Sequence, residues 1–411
     1  MMSAFVWLDY SERERRKMLD VIDVFREHGT RDELGVGSVR DAFADMLFPG
    51  TSTIMTRARY FLLVPWAYQR LEKSRVRSAE IAARARQAEL NLVDPIERSD
   101  DNYGNIGKVA KNTLKRLPSS VYWQGLSVWG IRSFQGAQVQ YHRSLDGYYA
   151  QLTRHAGRAS ERDLEHDDLI TPNWHAGLVP PPDDFPKECS LRLTRIEGEY
   201  LAERMRLSPA CSGSLLAELV AQKRCNTDAA FAWEHPHCVE LPARLRELLD
   251  HAQNFSEVMH GAPLLYNLIL AEQTHRDEGI AKYRRDLDEW ALLVSKRSPA
   301  LVKWDRERFW ELVRSANPRI TVPTRQFINS WWDLALAGDA ARLCDSPAAR
   351  LLISERERQL KKTLARISNP KNPRPQELWT GESGTAQLDF RWLISQRLLH
   401  DIFDGLEPPD A

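Results

Sequence analysis

Apolar side chains recur at three- and four-residue spacing along most of this 411-residue chain, and no other sequence feature constrains the fold as strongly. That spacing places the apolar residues on one face of a helix. Few β-branched alternating runs interrupt it, and no fixed-period repeat is found. The sequence therefore predicts a mainly α, multi-helix protein with at least half of its residues helical and little strand.

The densest combination of helix signals, arginines and aromatic residues lies between Gly29 and Trp66. An amphipathic run is stopped by the Phe-Pro-Gly sequence at 48–50, since Pro and Gly together mark a tight turn. A second helical run restarts at about Ser52 and carries Arg57 and Arg59. The pattern predicts two helices joined by a short turn, a geometry that many nucleic-acid-binding modules share.

The two arginines of this stretch have different expected roles. Arg57 lies four residues before Phe61 and so shares a helix face with it. We therefore expect Arg57 to be a partly buried anchor, paired with Asp41 or Asp45 of the preceding helix. Arg59 is the better candidate for a phosphate contact.

The balance of charge changes sign near the middle of the chain. Residues 57–158 contain 17 Lys and Arg against 8 Asp and Glu, whereas residues 161–203 contain 4 against 11. The acidic part includes a proline cluster at 180–186. A composition shift that coincides with prolines marks a linker or domain boundary.

These features predict a two-domain organisation. A basic N-terminal domain with a helix-turn-helix-like bundle occupies 1–160, and an acidic, Pro-rich linker occupies 161–186. A C-terminal helical domain at 187–411 ends in a helix near 386–405. One long helix is expected from Pro263 onward, broken only at a glycine. Ser-Pro pairs at 298–299 and 346–347 are typical helix starts.

A set of basic residues in the front half is a candidate nucleic-acid-binding surface: Arg40, Arg59, Arg84, Arg86, Lys108, Lys111, Lys115, Arg116, Arg132 and Arg143. Guanidinium groups suit phosphate contacts, and the aromatic residues Tyr60, Tyr122, Trp123 and Tyr141 suit base stacking. The alternative is that these cations form the solvated faces and salt bridges of ordinary helices. Net charge is zero, so no global field attracts a polyanion.

Other motifs give weaker indications of chemistry. Residues 234–238 offer two histidines and a cysteine, but further zinc ligands cannot be named and a surface turn is the simpler interpretation. His142 with Asp146, and the acidic cluster at 163–168, suit proton transfer or a divalent ion, or else a structural histidine and a solvated charge run. No phosphate-binding loop, GxGxxG, HExxH or GxSxG motif is present. The sequence predicts no catalytic residue, no metal and no cofactor.

Cysteine usage and hydropathy indicate a compartment. Five cysteines, none of them in a CxxC pair, favour reduced thiols. No signal peptide is recognisable, and no apolar run approaches the roughly 20 residues that span a bilayer. We therefore expect a cytoplasmic protein that does not enter a membrane.

Several segments resemble one bacterial family across nearly the whole chain: WLDYSERERRKMLDVI, TRDELGVGSVRDAFADMLFPGTSTIMTRARYF, LKRLPSSVYWQGL, QYHRSLD and FRWLISQRLLHDIFDGL. It is an uncharacterised domain-of-unknown-function family that is met in phage-defence gene clusters, beside helicase and phospholipase-D-like nuclease genes, and the resemblance implies a cluster such as the Azaca defence system. The resemblance implies an accessory or recognition subunit that contacts DNA or RNA and has a helicase or phospholipase-D-like nuclease as its partner. It supplies no catalytic residues. An enzyme such as a nuclease with an unrecognised site, and a pure scaffold, are the alternatives.

Overall fold

The computed structural model describes residues 32–159, 170–223, 229–337, 340–367, 369 and 371–407. Helices make up 64% of these described residues, which contain no β-strand. An isolated antiparallel bridge joins Arg132 to Trp174. The prediction of a mainly α protein with at least half of its residues helical is confirmed.

The α-helices of the described residues are numbered here in chain order. They are α1 (Gly37–Leu47), α2 (Tyr60–Lys73), α3 (Ile81–Leu90), α4 (Val93–Arg98), α5 (Pro118–Val128), α6 (Gln138–Ala159), α7 (Arg195–Leu207), α8 (Leu215–Ala221), α9 (Ala243–Gln273), α10 (Asp277–Leu301), α11 (Arg306–Ala316), α12 (Val322–Leu336), α13 (Pro347–Lys361), α14 (Arg374–Glu377) and α15 (Trp392–Leu406). Short 3-10 turns occur at Lys111–Thr113, Ala232–Glu234, Pro236–Glu240, Ala340–Asp345 and Lys362–Leu364.

Contacts along the backbone divide the chain into two compact units. Unit 1 combines residues 1–43 with 246–390, and unit 2 combines 44–245 with 391–411. Each unit is therefore discontinuous in sequence. Both sides of the predicted linker at 161–186 belong to unit 2, and the predicted division into N- and C-terminal domains stays a prediction.

The first of the two helices predicted between Gly29 and Trp66 forms as predicted, but the second begins later. Val39, Phe43 and Leu47 on the apolar face of α1 are buried. The next helix, α2, begins only at Tyr60, after the non-helical segment 48–59. This connection is much longer than the three or four residues of a helix-turn-helix. Arg57 and Arg59 therefore precede α2, and the prediction that they lie on a helix from Ser52 is wrong.

Side chains from distant parts of unit 2 bind the backbone of the non-helical segment 48–59. The backbone N–H groups of Thr56 and Arg57 donate to the Tyr122 hydroxyl, at 2.9 and 3.0 Å. The Ala58 N–H donates to Asp401 at 2.7 Å. Because these donors have tertiary partners, they do not need the carbonyls that a helix would supply.

The core of unit 2 is built around α2, whose residues 60–68 are all buried. The Phe61 ring stacks on Trp129 with 3.7 Å between ring centroids. Helices α7 and α15 approach closely because each has a glycine at the contact. A Cβ atom on Gly198 would lie 3.1 Å from the Ile402 carbonyl oxygen, and one on Gly405 would lie 2.9 Å from Leu193 Cβ.

The core of unit 1 is rich in aromatic residues. Phe309 has ring centroids at 5.3 Å from Phe43, 5.3 Å from Phe255 and 5.0 Å from Trp332. Aromatic pairs at such distances stabilise a core beyond their buried area. This packing ties α11 to α1, α9 and α12.

The single long helix predicted from Pro263 is instead divided between α9 and α10, and Gly279, the expected break, lies within α10. Pro263 lies inside α9 and not at its start, and a break follows at 274–276. His275 has φ +53°, a left-handed conformation that ends a helix. The Ser-Pro pair at 346–347 does start α13, with Ser346 Oγ accepting a hydrogen bond from the Ala349 N–H. Pro299, in contrast, lies within the last turn of α10.

Candidate nucleic-acid interface

Arg57 is an anchor, as expected, but its partners are Asp101 and Asp401. Its side chain is 9% exposed, and its nitrogens lie 2.6 Å from Asp101 and 2.8 Å from Asp401. Burial alone lowers the pKa of Arg57, but the hydrogen bonds and charges of the two carboxylates raise it above its ordinary value. Pairing with Asp41 or Asp45 is wrong. The group binds residue 57 to the terminal helix α15 and leaves no face for a phosphate.

Asp41 and Asp45, the expected partners of Arg57, each have another arginine. Asp41 pairs with the neighbouring Arg40 at 3.1 Å, and Asp45 pairs with Arg391 at 2.6 Å. Arg40, a candidate phosphate contact, is partly buried and belongs to unit 1. The other nine candidates belong to unit 2.

Arg59 is also enclosed in the core of unit 2. Its side chain is 7% exposed and pairs with Glu197 of α7 at 2.7 Å. Another guanidinium nitrogen donates to the carbonyl and hydroxyl oxygens of Ser190, both at 3.1 Å. The expectation that Arg59 is the better surface contact is corrected, because its donors already serve α7 and the segment before it.

Arg132 is buried, and it has no ion pair with a carboxylate of the described residues. The residue is 3% exposed, and its guanidinium donates to the backbone carbonyls of Trp123, Phe134 and Gly136. It also lies 4.6 Å from the centroid of the Trp123 ring. Burial lowers the pKa of Arg132. This arginine shapes the turn that follows α5, so it is removed from the candidate surface.

The aromatic residues proposed for base stacking are core residues. Tyr60, Tyr122, Trp123 and Tyr141 are all buried, and they pack on one another and on their neighbours. A stacked base needs a ring face that solvent can reach. These four rings therefore cannot supply it, and that expectation is corrected.

The remaining seven candidates lie on or beside α3 and α6. Arg86 of α3 donates to the carbonyls of Leu114 at 2.9 Å and Asn112 at 2.8 Å. These bonds fix the lysine-rich segment 107–116 against the helix. At the start of α3, Ser78 Oγ donates to the Arg143 carbonyl at 3.3 Å. We call this the α3 basic surface and define it by Arg84, Arg86, Lys108, Lys111, Lys115, Arg116 and Arg143.

Four cations of this surface are exposed and have no carboxylate partner among the described residues: Lys111, Lys115, Arg116 and Arg143. Two others are paired, Arg84 with Glu80 at 3.8 Å and Lys108 with Glu97 at 3.1 Å. Both pairs are largely exposed and contribute little to stability. The surface is therefore locally basic although the whole chain has no net charge.

A polar pocket of about 470 Å³ adjoins this surface, and no sequence pattern indicates it. Its polar lining comes from four segments: Gln87, Asn91, Asp94, Arg98, Asn112 and Lys187. Asn112 follows Lys111 of the basic surface, and Gln87 follows Arg86. Because the Arg86 guanidinium donates to the Asn112 carbonyl at 2.8 Å, the pocket and the surface are adjacent. Segments as distant as 87 and 187 meet only in the folded chain, which is why no local pattern reveals them.

Two carboxylates were also missed, one partly buried and one fully buried. Glu72 of α2 accepts hydrogen bonds from Tyr141, Asn173 and Trp174, and burial raises its pKa. Glu89 of α3 accepts from Ser119, and burial raises its pKa to about 7. In sequence both are ordinary helix glutamates.

The histidines of the weaker motifs are packed against neighbouring residues in the described part of the chain. His142 is partly buried and stacks on Tyr68, and burial lowers its pKa. His235 and His237 are buried in and beside a 3-10 turn, and His237 lies 3.2 Å from Glu240. The acidic cluster at 163–168 lies outside the described residues. No group of three or more His, Cys, Asp or Glu among the described residues is arranged to hold a metal ion.

Comparison with known proteins gives a family but no function. None of the described helices is both long and apolar enough to cross a membrane. A search of curated proteins and a search of solved structures each found no match. The model of a family of unknown function, DUF6361, matches residues 2–405. The chain therefore belongs to the DUF6361 family.

Proposed function

We propose that this chain binds nucleic acid through the α3 basic surface. The carrying observation is that Lys111, Lys115, Arg116 and Arg143 are exposed without a carboxylate partner among the described residues. Lysine and arginine side chains that neutralise phosphates release counterions, which supplies most of the sequence-independent affinity for DNA or RNA.

The close spacing of these cations supports this proposal. Lys111, Lys115 and Arg116 lie within six residues of one another, and all three are exposed. A local excess of one charge raises the concentration of an oppositely charged partner.

We further propose that the protein is an accessory or recognition subunit of an anti-phage system, with a helicase or phospholipase-D-like nuclease as its partner. The support for this part is the resemblance of the quoted segments to a family met in such gene clusters. A reducing compartment such as the cytoplasm suits the free cysteines Cys189, Cys211, Cys238 and Cys344.

A charge-reversal experiment tests the nucleic-acid part. We expect Lys115→Glu/Arg116→Glu to weaken binding to duplex DNA and to lower the slope of log affinity against log salt by about two units, at roughly 0.9 per phosphate contact. Fluorescence anisotropy with labelled DNA and RNA at several salt concentrations measures this slope.

The control is Lys296→Glu/Arg314→Glu, which makes the same charge change at two exposed positions of unit 1. It should leave the slope close to that of the wild type. Equal loss in both variants would mean that only net charge matters. Absence of any salt-dependent binding by the wild type would refute the proposal.

A further inference from the structure

The pocket beside the α3 basic surface has a mixed apolar and polar lining. Its volume of about 470 Å³ lies within the usual range for small-ligand sites, roughly 300–1,000 Å³. Leu90, Pro95 and Pro186 supply apolar lining, against which a flat base ring can pack. Polar groups stand around this lining, so a ring and a charged group can be held together.

Several polar side chains of the pocket have no partner within the described part of the chain. Asp94, Arg98, Asn112 and Lys187 use their side chains in no hydrogen bond or ion pair there. Asn112 is nevertheless held in place, since its carbonyl accepts from Arg86. The two cations are suited to a phosphate, and the carboxylate and the carboxamide are suited to the edge of a base.

We propose that this pocket binds one nucleotide with a guanine base, and that Asp94 selects the base. Guanine presents two adjacent donors, N1–H and the exocyclic amino group, and a carboxylate can accept both at once. Adenine and cytosine present one amino group beside an acceptor. Uracil and thymine present carbonyl oxygens on both sides of their single N–H, and the charge of Asp94 repels those oxygens.

The position of the pocket connects it to the proposed function. Asn112 lies between Lys111 and Lys115, so a strand held by the basic surface passes the mouth of the pocket. Single-stranded nucleic acid is read on the Watson–Crick edges of its unstacked bases. The inference rests on the proposed function for the strand, but the pocket itself is testable with free nucleotides.

Titration of the full chain with GMP, AMP, CMP, UMP and inorganic phosphate, followed by ligand-observed NMR, tests the pocket. We expect GMP to bind most tightly, about tenfold better than UMP, because two bonds to a charged acceptor distinguish them. Asp94→Asn should remove most of that preference and leave UMP binding unchanged. Arg98→Ala/Lys187→Ala should weaken all four nucleotides alike.

Asp404→Asn, at an exposed position of α15, is the matched control and should bind as the wild type does. Equal affinity for GMP and UMP, binding of phosphate as tight as GMP, or no change in Asp94→Asn would each overturn the inference. If GMP selection fails while Lys115→Glu/Arg116→Glu still changes the salt slope, the pocket is refuted and the basic surface stands. If the slope is unchanged while GMP selection holds, only the strand-binding surface is refuted.

Discussion

Glu89 shows how one buried side chain makes stability depend on pH. The residue is 1% exposed, and its two carboxylate oxygens accept from the Ser119 N–H and hydroxyl, both at 2.7 Å. It therefore caps the start of α5 from the neighbouring α3. Burial raises its pKa to about 7, and the bonds from Ser119 and the charge of Arg86 oppose that rise only in part.

The raised pKa predicts a loss of stability as pH rises. Because the folded protein holds the proton more tightly than the unfolded chain, the contribution of Glu89 is fully present below about pH 4.5 and is lost as pH passes 7. We expect Glu89→Gln to flatten this trend by roughly 3 kcal/mol in the free energy of unfolding. Urea unfolding at pH 5, 6, 7 and 8 measures it.

The same change at exposed Glu188 sets the background for removing one carboxylate. A wild type whose stability rises between pH 5 and 8 while Glu89→Gln follows it in parallel would show that Glu89 is not the responsible group.

Arg57 marks the limit of local sequence reasoning at this scale. Its anchoring role was predicted from a helix face shared with Phe61, although residue 57 in fact precedes α2. Its partners could not be inferred, because Asp101 and Asp401 lie 44 and 344 positions away. The buried roles of Arg59 and Arg132 were not predicted. No residue near them in sequence indicates that Glu197 or the carbonyls of the 134–136 turn would be their partners.

At the scale of helices, the contact between α9 and α10 depends on Gly261, which has no side chain. A Cβ atom on Gly261 would lie 2.5 Å from two ring atoms of Trp290. The ring cannot retreat easily, because Trp290 is buried and its Nε1–H donates to the Glu257 carbonyl at 2.8 Å. The backbone of α9 is thus packed directly on an indole ring of α10.

We expect Gly261→Ala to destabilise the protein by about 1–3 kcal/mol through overpacking. Gly147→Ala in α6 is the matched control, since a Cβ there would meet no atom within 4 Å. It should stabilise by about 0.5–1 kcal/mol, because alanine favours the helix. Thermal unfolding followed by circular dichroism compares the two. Shifts of the same sign would contradict this assignment of the two sites.

Helix content was easier to predict than helix ends. Apolar periodicity is averaged over many residues, so α1, α13 and α15 form where the pattern places them. An end depends on single bonds. Ser346 caps α13 because its Oγ reaches the Ala349 N–H, whereas the equal-looking Ser-Pro pair at 298–299 is carried inside α10 by the helix that precedes it.

At the scale of the whole molecule, the candidate site could be predicted only in part. Seven cations of the predicted set lie on or beside α3 and α6 because they are close in sequence. The pocket could not be foreseen, since Lys187 reaches it from beyond the acidic segment. The predicted domains also rest on local sequence alone, since a charge shift is a property of composition. Which segments fold together depends on contacts between residues distant in sequence.

Limited proteolysis distinguishes the predicted domains at 1–160 and 187–411 from the two discontinuous units that the backbone contacts define. The sequence predicts the first cut between about Ser160 and Pro186, in an exposed segment of the kind that proteases attack. The later part of that segment is held, since the Val179 carbonyl accepts from Trp66 and the Phe185 carbonyl from Arg70, both at 2.7 Å. We therefore expect trypsin or a glutamate-specific protease to cut first before residue 173, as fragment masses would show.

The fragments then decide how the chain is organised. Two buried ion pairs join the two sides of the cut. Arg57 and Arg59 lie before it, and their partners Asp401 and Glu197 lie after it. A cut at 161–172 leaves these buried pairs intact, so the two fragments should co-elute on size exclusion and separate only in urea. Independent domains at 1–160 and 187–411 would instead separate under native conditions. Such separation would show that the contacts of unit 2 do not hold the two sides of the cut together.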